Sequence, residues 1–101
     1  MKRLIQLIPA HHVRDAAGSE VLTIERIMRE VGWDTEIYAD TIDDELKDKT
    51  KLFSSFDPKA LDDTIVLYHF CGGTEMTHRF CELDCKKVMV YHNITPGSFF
   101  E

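Results

Sequence analysis

Four of the five histidines stand directly after apolar runs that read as β-strands. His92 and Asn93 follow Val88, Met89, Val90 and Tyr91; His69 closes a run that begins at Thr64; His11 and His12 follow Leu4, Ile5, Leu7 and Ile8. An imidazole moves a proton near neutral pH or polarises a hydroxyl, and an amide beside it both donates and accepts. Pro96 biases Thr95 away from the helical region, so the last run exits into a shaped loop. One polar residue after a strand is ordinarily a solvated side chain or a loop hydrogen bond. Its recurrence at three strand ends is what calls for placing the group in a fold.

The elements that must position these residues are legible as alternating strands and helices. Residues 2–8 form a first strand that Pro9 ends, and residues 10–19 form a loop whose Ser19 caps the next helix. That helix carries Ile24, Ile27, Met28 and Val31 on one face, turns Glu25, Arg26, Arg29 and Glu30 to water, and closes at Gly32. Residues 35–39 form a second strand with Asp40 at its end. Residues 41–63 are a long acidic, lysine-containing connection with a short helix over 43–49 capped by Thr41, and Leu52, Phe53, Phe56 and Leu61 pin it to the body. Residues 64–69 form a third strand, Gly72 and Gly73 turn the chain, and Thr74 caps a helix with Met76, Phe80 and Leu83 on one face. Residues 87–91, a β-branched run without polar alternation, read as a fourth strand buried on both faces.

This order specifies an α/β fold, a Rossmann-like open parallel sheet of about four strands with helices on both faces, as a single domain over residues 1–101. Right-handed crossovers place the first and third strands centrally, the second beside the first and the fourth beside the third. All strand exits then share one edge, where ligands of open α/β sheets bind. That edge gathers His11, His12, Arg14, Asp15 and Gly18 from the first connection and Asp40 from the second. His69, Gly72, Gly73, His92 and Asn93 join them from the later ones.

Composition excludes several classes. Twelve Lys and Arg against eighteen Asp and Glu give a net charge of −6 with no basic cluster, which disfavours nucleic acid as a partner. No run is long enough to span a bilayer, the basic start has too short an apolar stretch for a signal peptide, and three cysteines leave an odd thiol; a reducing, cytoplasmic setting is expected. His78, Cys81 and Cys85 fall at i, i+3 and i+7, a spacing that raises a metal site, but no zinc signature with a CxxC pair is present and ordinary half-buried thiols are the alternative. Neither GxGxxG nor GxxxxGK[ST] occurs, and no serine sits in a nucleophile elbow. Gly18 before a helix start either lets backbone N–H groups approach a phosphate or merely shapes a turn.

The chain resembles a known family along nearly its whole length. The similarity is carried by the first strand ending in Gln6, Leu7, Ile8 and Pro9, by the segment from Arg14 to Glu20, and by Gly32 and Trp33 before Glu36, Ile37, Tyr38 and Ala39. Tyr68 and His69 add to it, and most specific is the segment Tyr91, His92, Asn93, Ile94, Thr95, Pro96 with Phe99 and Phe100. Together they resemble the N-terminal region of glycosyltransferase family 4, retaining enzymes of GT-B architecture. The resemblance implies a hexosyl- or related transferase that moves a sugar from a nucleotide-sugar donor to an acceptor with retention, without a metal or other cofactor. It implies that His92 lies beside the transferred sugar, that Ala17, Gly18 and Ser19 approach the donor diphosphate, and that His11, Arg14, His69 and Asn93 shape the acceptor side. The family's C-terminal domain is missing from the sequence, so the chain is expected to be an incomplete N-terminal domain, inactive alone, with an exposed sheet edge able to self-associate. The rival expectation is a stand-alone doubly wound module that binds a small anionic ligand or regulates a partner at the same edge. A receiver-type version lacks its acidic pair after the first strand, and a metal-binding protein using His78, Cys81 and Cys85 is a third possibility.

Overall fold

A computed structural model of the chain describes residues 2–11, 16–59, 61–70 and 75–91. Its elements are β1 (Arg3–His11), α1 (Ala16–Glu30), β2 (Asp34–Ile42), β3 (Thr50–Leu52), β4 (Thr64–Phe70), α2 (Glu75–Cys81) and β5 (Lys86–Tyr91), with 3-10 turns at Asp44–Leu46 and Phe53–Ser55. The strands form one all-parallel sheet in the order β3-β2-β1-β4-β5. This is a Rossmann-like α/β arrangement. The order of the four expected strands is the one that right-handed crossovers require, and β3 adds a fifth at the edge. With only three residues pairing to Ile37, Tyr38 and Ala39, and Thr50 alone buried, β3 is too short to leave a periodicity in sequence.

β1 is central, and Leu4, Ile5, Gln6, Leu7 and Ile8 are all buried. Pro9 does not end it. Pairing with β4 stops at Leu7↔Tyr68 while pairing with β2 continues to His11↔Ile42, so Pro9, which has no N–H to give, lies where only one neighbour remains. Ala10 and His11 are therefore strand residues and not loop. Alternate residues serve the two faces: Ile8, Ile37 and Ala39 pack with Ala17 and Val21 of α1. Ile5, Leu7, Tyr38, Val66 and Tyr68 pack on the other face with Phe53, Phe56, Leu61, Met76, Phe80 and Leu83. α1 and α2 thus cover opposite faces.

α1 begins at Ala16, so Ser19 lies exposed within its first turn and is not the cap. Its buried face is also rotated from the expected one. Ala17, Gly18, Val21 and Glu25 are buried, whereas Ile27 and Val31 are 47% and 63% exposed. Two polar contacts set the rotation: Gln6 Nε2 donates to the Val21 carbonyl at 3.0 Å, and Arg29 Nη2 meets Glu25 Oε2 at 3.4 Å, which lets a carboxylate turn inward. Gly32 closes the helix with φ +96°, and Gly32 N–H and Trp33 N–H bond the Arg29 and Met28 carbonyls, a Schellman ending that only glycine enters without strain.

Other expectations shift in detail. β2 runs on to Ile42, taking in Asp40 and Thr41, and the following turn starts from Asp43. Phe53, Phe56 and Leu61 do pin the connection, but Leu52 is 53% exposed at the sheet edge. β5 is an edge strand with Val88 and Met89 about half exposed, so its apolar run is not buried on both faces. Among the described residues no helix is long and apolar enough to cross a membrane.

Candidate functional site

Strand order reverses between β1 and β4: β1 leads outward to β2 and β3, and β4 leads the other way to β5. At such a switch point the connections part and leave a crevice at the carboxyl edge. The ends of β1 and β4 and the first turn of α1 meet there, and two buried histidines hold them in place.

His11, fully buried, bonds in two directions. Its Nε2 lies 3.3 Å from the Gly18 carbonyl and its Nδ1 lies 2.7 Å from the Thr50 hydroxyl. A carbonyl only accepts, so Nε2 carries the proton, and in the neutral ring Nδ1 accepts from Thr50. One side chain thereby ties β1 to the start of α1 and to the edge strand β3. His69, also fully buried, is placed by the same reasoning. The Gln6 amide nitrogen donates to Val21 O, which leaves Gln6 Oε1 to accept from His69 Nε2 at 2.8 Å. A relay His69–Gln6–Val21 therefore spans β4, β1 and α1. Each of these buried bonds is worth about 0.5–1.5 kcal/mol net, and breaking one from one side costs more, about 1–3 kcal/mol, because a polar group stays dry and unpaired.

These contacts fix the amino-terminal turn of α1 at the crevice. The first four N–H groups of a helix have no carbonyl partner inside it, and in α1 they belong to Ala16, Ala17, Gly18 and Ser19. Together with the helix dipole they favour an anion by about 0.3–1 kcal/mol, and such turns accept phosphate groups. Of the three residues expected at a diphosphate, Ala17 and Gly18 are buried against the sheet and Ser19 is exposed.

The structure brings His11, His69, Ala17, Gly18 and Ser19 to one edge. Arg14, His92 and Asn93 lie outside the described residues, as do His12, Asp15, Gly72 and Gly73; β5 ends at Tyr91, one residue before His92. Asp40 is exposed in β2. Gln6 and Thr50, which orient the two histidines, were not among the residues expected at the site. Gln6 had a signal, as the one polar residue in an apolar strand; Thr50 had none.

No family model matches the chain, nor does any curated protein or solved structure. What the chain can do is therefore read from its own geometry.

The metal expectation has no assembled site to draw on. α2 stops at Cys81, so Cys85 lies beyond the helix and does not continue the face of His78 and Cys81. Among the described residues no three metal-ligating side chains converge. Cys85 is half-buried, and burial raises its thiol pKa above the ordinary range despite Lys87 nearby, which keeps it protonated and a poor ligand.

Proposed function

We propose that this chain is the acceptor-side, amino-terminal part of a retaining glycosyltransferase of GT-B type, using a nucleotide sugar as donor. The observation that supports the reading best is the first turn of α1, anchored by His11 and Gln6 at the β1/β4 switch point. In the transfer, the bond from the sugar's anomeric carbon to the diphosphate oxygen breaks and a bond to an acceptor hydroxyl forms on the same face. Charge then builds on the departing diphosphate, where the N–H groups of residues 17–19 would meet it. His92, one residue past β5, would hydrogen-bond the transferred sugar, with Asn93 and Arg14 toward the acceptor. His11 and His69, buried and bonded within the frame, would act as positioning residues through α1 and Gln6. A second domain of the same enzyme would supply the opposite wall and most donor contacts. Without it the chain would bind weakly and turn nothing over, and its free β5 edge would be open to another copy.

Full burial of both histidines is also what a stand-alone binding module would show, since it gives them a structural task without catalysis. Titration of the isotope-labelled chain with nucleoside diphosphates and their sugar conjugates, followed by amide NMR, separates the two. Saturable shifts at residues 17–19 and 92–93 that are larger for the sugar conjugates support the transferase. Equal shifts with inorganic phosphate support the module. Silence at those residues removes both anion-binding readings.

A further inference from the structure

The opposite, amino-terminal edge of the sheet has a groove that the switch-point site does not use. β2 and β3 are joined through a single 3-10 turn, where a full helix would cover the sheet beside α1, and their pairing starts only at Ile37↔Thr50. The part of β2 before Ile37 and one flank of α1 therefore wall an open groove of about 1030 Å³. Five basic and five acidic side chains line it, so it has no net charge.

Within it lies the one buried side-chain oxygen that lacks a hydrogen-bond partner among the described residues, Thr35 Oγ1, on a residue only 7% exposed. Glu25, equally buried, and Arg29 stand beside it. Arg29 Nη2 donates to the Thr35 carbonyl at 3.4 Å and to Glu25 Oε2 at 3.4 Å, which leaves Glu25 Oε1 and the remaining guanidinium N–H groups directed at the groove's polar space. A dry, unpaired hydroxyl is unfavourable unless something completes it.

We propose that this groove is a second ligand site that takes a neutral polyhydroxylated molecule, with the Thr35 hydroxyl as its buried anchor. A net anion or cation would gain nothing from a lining of balanced charge, and a zwitterion would have to part the Glu25–Arg29 pair to engage it. A polyol needs neither. Its hydroxyls accept from Arg29, donate to Glu25 and do both with Thr35, leaving the ion pair whole. The proposal is independent of the transferase reading, because the two sites lie at opposite edges of the sheet.

The test is amide NMR titration of the chain with myo-inositol, with glycine as the zwitterionic probe and inorganic phosphate as the anionic one. Saturable shifts at Glu25, Arg29 and Thr35 with myo-inositol alone are expected. Thr35→Val keeps the shape and removes the unpaired oxygen, so the variant stays folded and its affinity falls at least about tenfold. Thr35→Ser, which restores a hydroxyl, retains binding. The proposal is overturned if myo-inositol gives no saturable shift, if Thr35→Val binds as well as the parent, or if glycine or phosphate produces the shifts instead. A water molecule held at Thr35 and not displaced by myo-inositol overturns it equally.

Discussion

Tyr38 shows how one side chain reports on the edge it helps to close. Its hydroxyl donates to Glu36 Oε1 at 2.7 Å, while Glu36 Oε2 pairs with Arg3, whose Nε reaches the Thr64 hydroxyl, so a polar chain links β2, β1 and β4. Burial first, then the hydrogen bond to Glu36 and its charge, push the Tyr38 pKa up to about 12 from 10.0. The folded protein thus holds this proton more tightly than the unfolded chain does. The stability that comes with it is complete below about pH 10 and is lost as pH rises toward 12. Tyrosinate absorbance should show one of the three tyrosines titrating late in the folded protein. The urea midpoint of the parent should fall over that interval more steeply than that of Tyr38→Phe. Parallel curves would mean that the Glu36 contact does not persist in solution. At this scale the sequence was informative about residue type more than about environment. Histidines after strands were visible, but their complete burial was not, since it depends on Gln6, Thr50 and two helix carbonyls that only tertiary packing brings within reach.

α1 shows what periodicity can and cannot say about an element. The i, i+3, i+4, i+7 pattern announces the helix and Gly32 announces its end, yet the stripe that makes the pattern is not the face that meets the sheet. Ala17 and Val21 make the contact, with Glu25 beside them, because small residues allow close approach and Gln6 bonds the Val21 carbonyl. Arg29 and Glu25 turn one flank toward β2, so Ile27 and Val31 fall on the other flank, on the side of β4 and β5. Hydrophobicity alone does not distinguish a stripe that enters the core from one beside it. Val21→Ala should therefore cost about 1–3 kcal/mol, from two lost methyl groups and the space they leave. Ile27→Ala, despite removing a larger side chain, should change stability by no more than about 0.5 kcal/mol. Denaturant melts of the two variants decide this, and a comparable loss at Ile27 would show that its flank is covered in solution.

The whole molecule is asymmetric about β1. Strand order was readable because alternation and right-handed crossovers leave few topologies, and because a continuous apolar run marks the centre. The same reasoning misplaced β5: a run of Val88, Met89 and Val90 looks central by composition, but a strand becomes an edge through what lies beside it. Its stability should follow neighbours and not hydrophobicity. β1 has a strand on each side and is buried on both faces, whereas β3 offers three residues to one partner and β5 pairs only with β4. In native-state hydrogen exchange, amides of β1 such as Ile5 and Leu7 should open only with global unfolding. Those at Leu52 and Met89 should exchange faster by orders of magnitude, through local opening that denaturant scarcely affects. If Met89 instead matches β1 and its protection rises with protein concentration, β5 is pairing with a second copy. If the protection is equal but independent of concentration, the edge is covered within the chain itself.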